Sequence, residues 1–308
     1  MVGFLSIRDL DRKSVESLLQ ETNEMKELVM KFGGDESCKH KIAGLYFCEP
    51  STRTSCSFQA AMQRLGGAII SVNPDESSMK KGESTEDTVR TLASYCDILI
   101  IRHPHCGSIR EASKSCLKPV INAGDGSGEH PTQAVLDIYT IQSELGFIGG
   151  NHQATPTTVT LLGDLKNGRT VHSLVLLLGL FQHIRVLLVS PPGLELPVEL
   201  VEEVRDRLQM EESTLEQAIT VTDVLYVTRV QKERFTSEEQ YNQVVGSYCV
   251  NSALMAKAKE KMIVMHPLPR LGEIAPEVDV DPRAAYFRQM ENGMYMRMAI
   301  LRQLLLQS

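Results

Sequence analysis

An α/β protein is predicted, built as two doubly wound parallel-sheet domains with the active site in the cleft between them. Three observations predict it. Short runs rich in β-branched residues alternate with longer segments of helical periodicity, as in βαβ units covered on both faces. The alternation halts at a Gly-rich polar stretch, residues 146–157, and then resumes. At 308 residues the chain is long enough for two domains of ordinary size. The first domain is placed at 1–146 and the second at 147–308, with the C-terminal helix 291–306 a candidate to pack back on the first.

The elements follow in order. Residues 14–32 carry Val15, Leu18, Leu19, Met25, Leu28 and Val29 at helical spacing, with a cap near Asp11. Strand 42–47 leads into helix 53–66, and strand 68–72 follows. Beyond a polar loop come helix 84–95, strand 97–101, a helix near 107–116, strand 119–122 and helix 131–145. After the linker the second domain runs strand 158–163, helix 170–181, strand 184–189, helix 197–210 and a short helix 213–219. Strand 223–227, helix 252–260 and strand 262–265 complete its alternation. The last helix has Met294, Met298, Leu301 and Leu305 on its apolar face, where methionine fills core space.

Composition narrows the function. With a net charge of −7 the chain lacks the long-range positive field of a general nucleic-acid binder, so any phosphate recognition must be local. No apolar run is long enough to span a bilayer, and the N-terminus has no signal-peptide pattern. Seven cysteines without a C-x-x-C pair read as reduced thiols of a cytoplasmic protein, with neither a disulfide frame nor a metal site.

Phe47-Cys48-Glu49-Pro50-Ser51-Thr52-Arg53-Thr54-Ser55 joins a strand to a helix, with Ser51 or Thr52 as N-cap. Unpaired amides and partial positive charge at a helix N-terminus attract phosphate. Three hydroxyls and a guanidinium there supply further donors. An ordinary capping loop with a surface arginine has the same spacing. However, Arg102-His103-Pro104 and the Gly-rich 122–130 turn also follow strand ends, where ligands bind in such sheets. The Gly-rich turn sets His130 and Gln133 on one face of the next helix, and Arg229 and Gln231 point the same way if their strand continues. His266 is assigned a structural role at a strand end, and Asp164 that of a cap.

Seven motifs now stand in order: Ser51-Thr52-Arg53-Thr54, Lys80-Lys81-Gly82-Glu83, Arg102-His103-Pro104, His130-Pro131-Thr132-Gln133, Gly168-Arg169-Thr170, Arg229-Val230-Gln231 and His266-Pro267-Leu268-Pro269. Together, over residues 4–306, they resemble the motif set of the aspartate carbamoyltransferases. The segment Asp281–Gln289 is most similar to the carbamoyltransferase domain of the multifunctional animal pyrimidine-synthesis protein.

The resemblance implies carbamoyl transfer from carbamoyl phosphate to the α-amino group of L-aspartate, early in pyrimidine synthesis, with no cofactor and no metal. It implies that Ser51, Thr52, Arg53, Thr54 and Arg102 hold phosphate, with Ser77 and Lys81 contributed by a loop. Thr54, Arg102 and His130 are implied at the carbonyl oxygen, and Gln133 with the Pro267-Leu268 backbone at the carbamoyl amine. Arg169, Arg229, Gln231, Lys81 and Leu268 are implied at aspartate. By family position Glu49 ties the domains together through Arg169 and Arg234. The family works as a homotrimer in which the Ser77–Lys81 loop enters a neighbour's site, and a place within a longer polypeptide is open. The alternative acceptor is ornithine or a related amino acid, but that enzyme has one carboxylate to bind and typically shows His-Cys-Leu-Pro. A non-catalytic phosphate-sensing module would have lost Arg53, Arg102, His130 or Arg229, and all four are present. Ser55 departs from the basic residue of many bacterial relatives and bears only on phosphate affinity.

Overall fold

A computed structural model describes residues 3–73, 81–146, 156–232, 235 and 237–306. Ser77, Lys80 and Arg234 lie outside the described residues. The chain forms two compact units, one of residues 1–139 and 291–308 and the other of residues 140–290.

In the first unit, β1 (Gly3–Phe4), β2 (Ile42–Phe47), β3 (Ala68–Val72), β4 (Ile98–His103) and β5 (Val120–Asp125) make one sheet in the order β1-β5-β4-β2-β3. Every pairing is parallel, so each return needs a crossover helix. Helices α1 (Arg12–Phe32), α2 (Thr52–Arg64), α3 (Thr85–Tyr95), α4 (Ser108–Lys114) and α5 (Pro131–Leu145) supply the rest of the layers. The α1 cap is Asp11, whose carboxylate accepts from Ser14 N at 2.7 Å, and Gly33 closes the helix in the left-handed region. Tyr46, Val89, Leu92, Leu99 and Ile101 pack as one buried cluster on a face of this sheet.

The second unit repeats the plan. Its strands are β6 (Thr157–Leu162), β7 (Ile184–Val189), β8 (Gln209–Glu212), β9 (Val224–Val227) and β10 (Ile263–Met265), ordered β10-β9-β6-β7-β8 and all parallel. Its helices are α6 (Arg169–Leu178), α7 (Val198–Val204), α8 (Leu215–Ala218), α9 (Glu238–Val244) and α10 (Ser252–Met255). Helix α11 (Tyr286–Leu306) begins in this unit and ends in the first, where Arg302 bridges to Glu21 and Glu24 of α1 at 2.9 Å each.

Three element readings are corrected. The helix expected over 197–210 stops at Val204, and 209–212 pairs with β7 as an edge strand. Arg205, Leu208, Gln209 and Met210 are all good helix formers, so propensity extends the helix, and sheet pairing overrides it. The helix expected over 252–260 ends at Met255, and the last helix starts five residues early, at Tyr286. Strand β1 was not foreseen, because two residues carry no readable alternation.

The strand order fixes where a ligand can enter. In the first sheet the chain leaves β2 toward β3 and later returns to the other side of β2 as β4. In the second it leaves β6 toward β7 and β8, then returns beside β6 as β9. Loops at the strands' carboxyl ends diverge at such reversals and leave a crevice. The two crevices are therefore at β2/β4 and β6/β9.

Candidate active site

The β2/β4 reversal is occupied by the first motif and by Arg102. Ser51 is the N-cap of α2, yet its side chain makes no capping hydrogen bond. A helix leaves its first amides without intrahelical partners, so this terminus keeps its anion-attracting character. Thr52 and Arg53 are exposed, Ser51 is half-buried and Thr54 is buried. Arg102 lies where the register of β4 against β5 shifts between Ile101 and His103, an irregularity of the kind that re-aims a side chain. Its Nη1 donates to Ala123 O at 3.3 Å, and its Nε lies 3.3 Å from the Glu49 carboxylate, so Glu49 forms an ion pair inside its own unit.

His130 precedes α5 on a pinned loop. Asp125 accepts from Gly107 N and Glu129 N at 3.0 and 2.8 Å. The Glu129 carboxylate accepts from Ser6 Oγ, Ile7 N and Arg8 Nη1 at 2.6–2.7 Å. His130 itself is 4% exposed, with Thr132 Oγ1 3.5 Å from its Nδ1. One turn on, Gln133 Nε2 donates to Asp137 Oδ1 at 2.8 Å. An ionised carboxylate only accepts, so this bond fixes the amide with its carbonyl oxygen turned away from Asp137. That oxygen suits an N–H donor.

Beneath Gln133 lies a buried charge. Asp137 is fully buried, and Arg297 of α11 sits with its guanidinium 5.0 Å from the Phe58 ring centroid. Burial pushes the Arg297 guanidinium down to about 10, and the Asp137 charge opposes that shift, so Arg297 stays a cation at neutral pH. The sequence held a signal for this pair that went unread: Asp137 is four residues from Gln133, and Arg297 interrupts the apolar face of the last helix.

At the β6/β9 reversal stand Arg169, the first residue of α6, and Arg229 and Gln231 beyond β9; all three are half-buried. Asp164 joins their loops. Its Oδ1 accepts from Asn167 N at 2.9 Å and its Oδ2 from Gln231 N at 3.3 Å, while Gln231 Nε2 donates to Asn167 O at 2.8 Å. Asp164 is thus a cap between loops; the N-cap of α6 is Gly168. Gly163 makes the closeness possible: with φ at 117°, a Cβ there would fall 2.2 Å from Thr228 O. Two guanidiniums flanking one crevice can grip carboxylates bidentately.

Pro267 and Leu268 follow β10 and are half-buried, and Leu268 has φ of 55°. His266 is 1% exposed, in keeping with a structural role. Lys81 is exposed in the first unit; Ser77 lies outside the described residues. The fold therefore gathers Ser51, Thr52, Arg53, Thr54, Arg102, His130 and Gln133 at the carboxyl edge of one sheet. It gathers Arg169, Arg229, Gln231, Pro267 and Leu268 at the carboxyl edge of the other. Among the described residues no group of three or more His, Cys, Asp or Glu side chains could hold a metal ion, and no helix is long and apolar enough to cross a membrane.

Comparison with known proteins adds a family. Residues 3–143 match the aspartate/ornithine carbamoyltransferase carbamoyl-P binding domain, and residues 156–304 match the Asp/Orn binding domain of the same family. Multifunctional protein pyr1-3 of Dictyostelium discoideum is 51% identical over 96% of this chain, which spans 13% of that protein's length. The aspartate carbamoyltransferase catalytic subunit of Thermoplasma acidophilum is 47% identical over 98% of this chain and 97% of its own. Among solved structures, Trypanosoma cruzi aspartate transcarbamoylase in complex with N-(phosphonacetyl)-L-aspartic acid superposes with a TM-score of 0.90 at 42% identity, covering 98% of this chain and 95% of that one.

Proposed function

We propose that this chain, which belongs to the aspartate/ornithine carbamoyltransferase family, transfers the carbamoyl group of carbamoyl phosphate to the α-amino group of L-aspartate. The products are N-carbamoyl-L-aspartate and phosphate. The observation that carries this reading is the position of the motifs. Phosphate-binding residue types stand at the reversal point of one sheet, and paired arginines stand at the reversal point of the other. The two-arginine set and the close relatives named for aspartate favour aspartate over ornithine.

In this mechanism the α2 terminus, with Ser51, Thr52, Arg53, Thr54 and Arg102, holds the phosphoryl group, joined by Ser77 and Lys81. Gln133 Oε1 and the Pro267 and Leu268 carbonyls accept the carbamoyl N–H groups. Arg169, Arg229, Gln231 and Lys81 take the two aspartate carboxylates. The amine lone pair attacks the carbonyl carbon and the oxygen becomes an oxyanion. Thr54, Arg102 and His130 stabilise it as fixed donors. The C–O bond to phosphate then breaks, and the departing phosphate takes the amine's proton. Orientation and charge stabilisation suffice, and no protein nucleophile is used.

The reading extends to a cytoplasmic homotrimer whose sites are shared through the Ser77–Lys81 loop, either free-standing or within a longer polypeptide. Mixing Lys81→Ala with Arg53→Ala subunits should restore some activity, and hybrids without recovery would remove the shared site. The decisive test of the reaction is a ureido-product assay with aspartate, ornithine and acetylornithine as acceptors. Turnover of aspartate alone is expected; turnover of ornithine in its place would overturn the choice of acceptor.

A further inference from the structure

The turn after β10 is held by side chains that the mechanism above does not use. Leu268 N donates to His266 Nδ1 at 2.7 Å. On the other side of the ring, His266 Nε2 lies 2.8 Å from Glu273 Oε1. Glu273 Oε2 accepts from Leu271 N at 3.1 Å and Gly272 N at 3.0 Å, and His266 N donates to the buried Gln289 Oε1 at 2.9 Å. These contacts define the ring's state. A nitrogen that accepts an amide proton carries none of its own, so the imidazole is neutral and its proton is on Nε2, facing the carboxylate. Burial alone would raise the Glu273 carboxyl, but the hydrogen bonds from His266 and the backbone amides outweigh it and keep the group ionised.

Leu268 has a reason to need a tether. Its φ of 55° lies in the left-handed region, which a leucine leaves readily unless its surroundings hold it. We propose that His266 is a positioning residue: anchored by Glu273 through Nε2–H, it holds the Leu268 amide at Nδ1 and so fixes the Pro267-Leu268 carbonyls that receive the carbamoyl amine. The inference rests on the assignment of those carbonyls under the proposed function. Its chemistry is that of a relay in orientation: the carboxylate sets the tautomer, the tautomer leaves Nδ1 an acceptor, and the acceptor sets the backbone.

Three substitutions separate this from simple scaffolding. Asparagine can keep an acceptor near the Nδ1 position, glutamine a donor near the Nε2 position, and alanine keeps neither. Steady-state kinetics should rank His266→Asn above His266→Gln and His266→Ala. The latter two should lose about a hundredfold in carbamoyl transfer, the scale of a small misplacement of a reacting group. Inhibition by inorganic phosphate, which is held elsewhere, should shift by less than about twofold, against that hundredfold. Equal losses in all three variants, or His266→Gln outperforming His266→Asn, would overturn the proposal. A long-range nitrogen–proton NMR spectrum of the unaltered chain tests the tautomer without any activity. An Nε2–H imidazole with an unprotonated Nδ1 supports the relay even if aspartate turnover fails, and a doubly protonated or Nδ1–H ring ends it.

Discussion

The two units solve the same problem in different ways. The first presents a helix N-terminus whose cap residue makes no side-chain capping bond, beside an arginine re-aimed by a strand irregularity. The second presents turns stitched from beneath by carboxylates: Asp164 under the Arg169 and Gln231 loops, Glu273 under His266 and Leu268. A helix N-terminus without a side-chain cap suits a ligand that is itself a strong acceptor, as a phosphate is. Turns beyond the strand ends have no repeating backbone ladder to define them, so side chains must supply the definition. The lesson is that a helix end comes pre-organised, whereas a loop has to be organised by its neighbours.

This contrast can be broken or sharpened by substitution. The largest effect is expected at Arg297→Ala in the first unit, which removes a buried cation whose charge acts on the buried Asp137 carboxylate; losing one of two opposite buried charges costs about 3–5 kcal/mol, read as a shift in denaturant midpoint. Arg53→Ala should lower kcat by about a hundredfold to a thousandfold, the cost of removing one fixed donor from a developing charge, with little change in the unfolding curve. In the second unit the two effects should not separate so cleanly. Gly163→Ala must push a Cβ against Thr228 O, and about 1–3 kcal/mol of backbone strain should appear as lower stability together with a higher KM for aspartate. The smallest effect concerns pH. Hydrogen bonds from His266 and backbone amides hold the Glu273 carboxyl below the usual carboxylate range, against the burial that would raise it. A carboxylate with a depressed native pKa contributes stability that is complete above its ordinary value near 4.5 and is lost as pH falls below it. Acid unfolding of the unaltered chain should therefore steepen across that window relative to Glu273→Gln, and parallel curves would show that the carboxylate is not coupled to folding.

Much of this was legible in the sequence where local chemistry and fold agree. The 42–47 strand, the polar turn and the helix after it read correctly because an apolar run, a hydroxyl-rich cap and a 3.6 period follow one another without ambiguity. Residues 205–212 misled because arginine, leucine, glutamine, methionine and glutamate all favour a helix, and only pairing with β7 makes 209–212 a strand. The supports beneath the site were missed for a different reason. Asp137 and Arg297 are 160 positions apart, and Glu273 meets His266 only because the turn doubles back. Such partners are fixed by tertiary packing, and neither spacing nor composition carries them. Asp164 was visible as a cap, but its bond to Gln231 spans 67 positions and had no local trace.

Under the proposed function, the Ser51–Thr54 edge of one sheet and the Arg169 and Arg229 edge of the other act on a single pair of substrates. Isothermal titration with N-(phosphonacetyl)-L-aspartate tests it most directly, since that ligand joins a phosphonate to an aspartate through one short linker. One ligand per chain, bound at least about a hundredfold more tightly than inorganic phosphate or succinate alone, is the predicted result, because the second contact becomes intramolecular. Affinity no better than that of either half alone would mean that the two edges never serve one ligand, and would contradict the account.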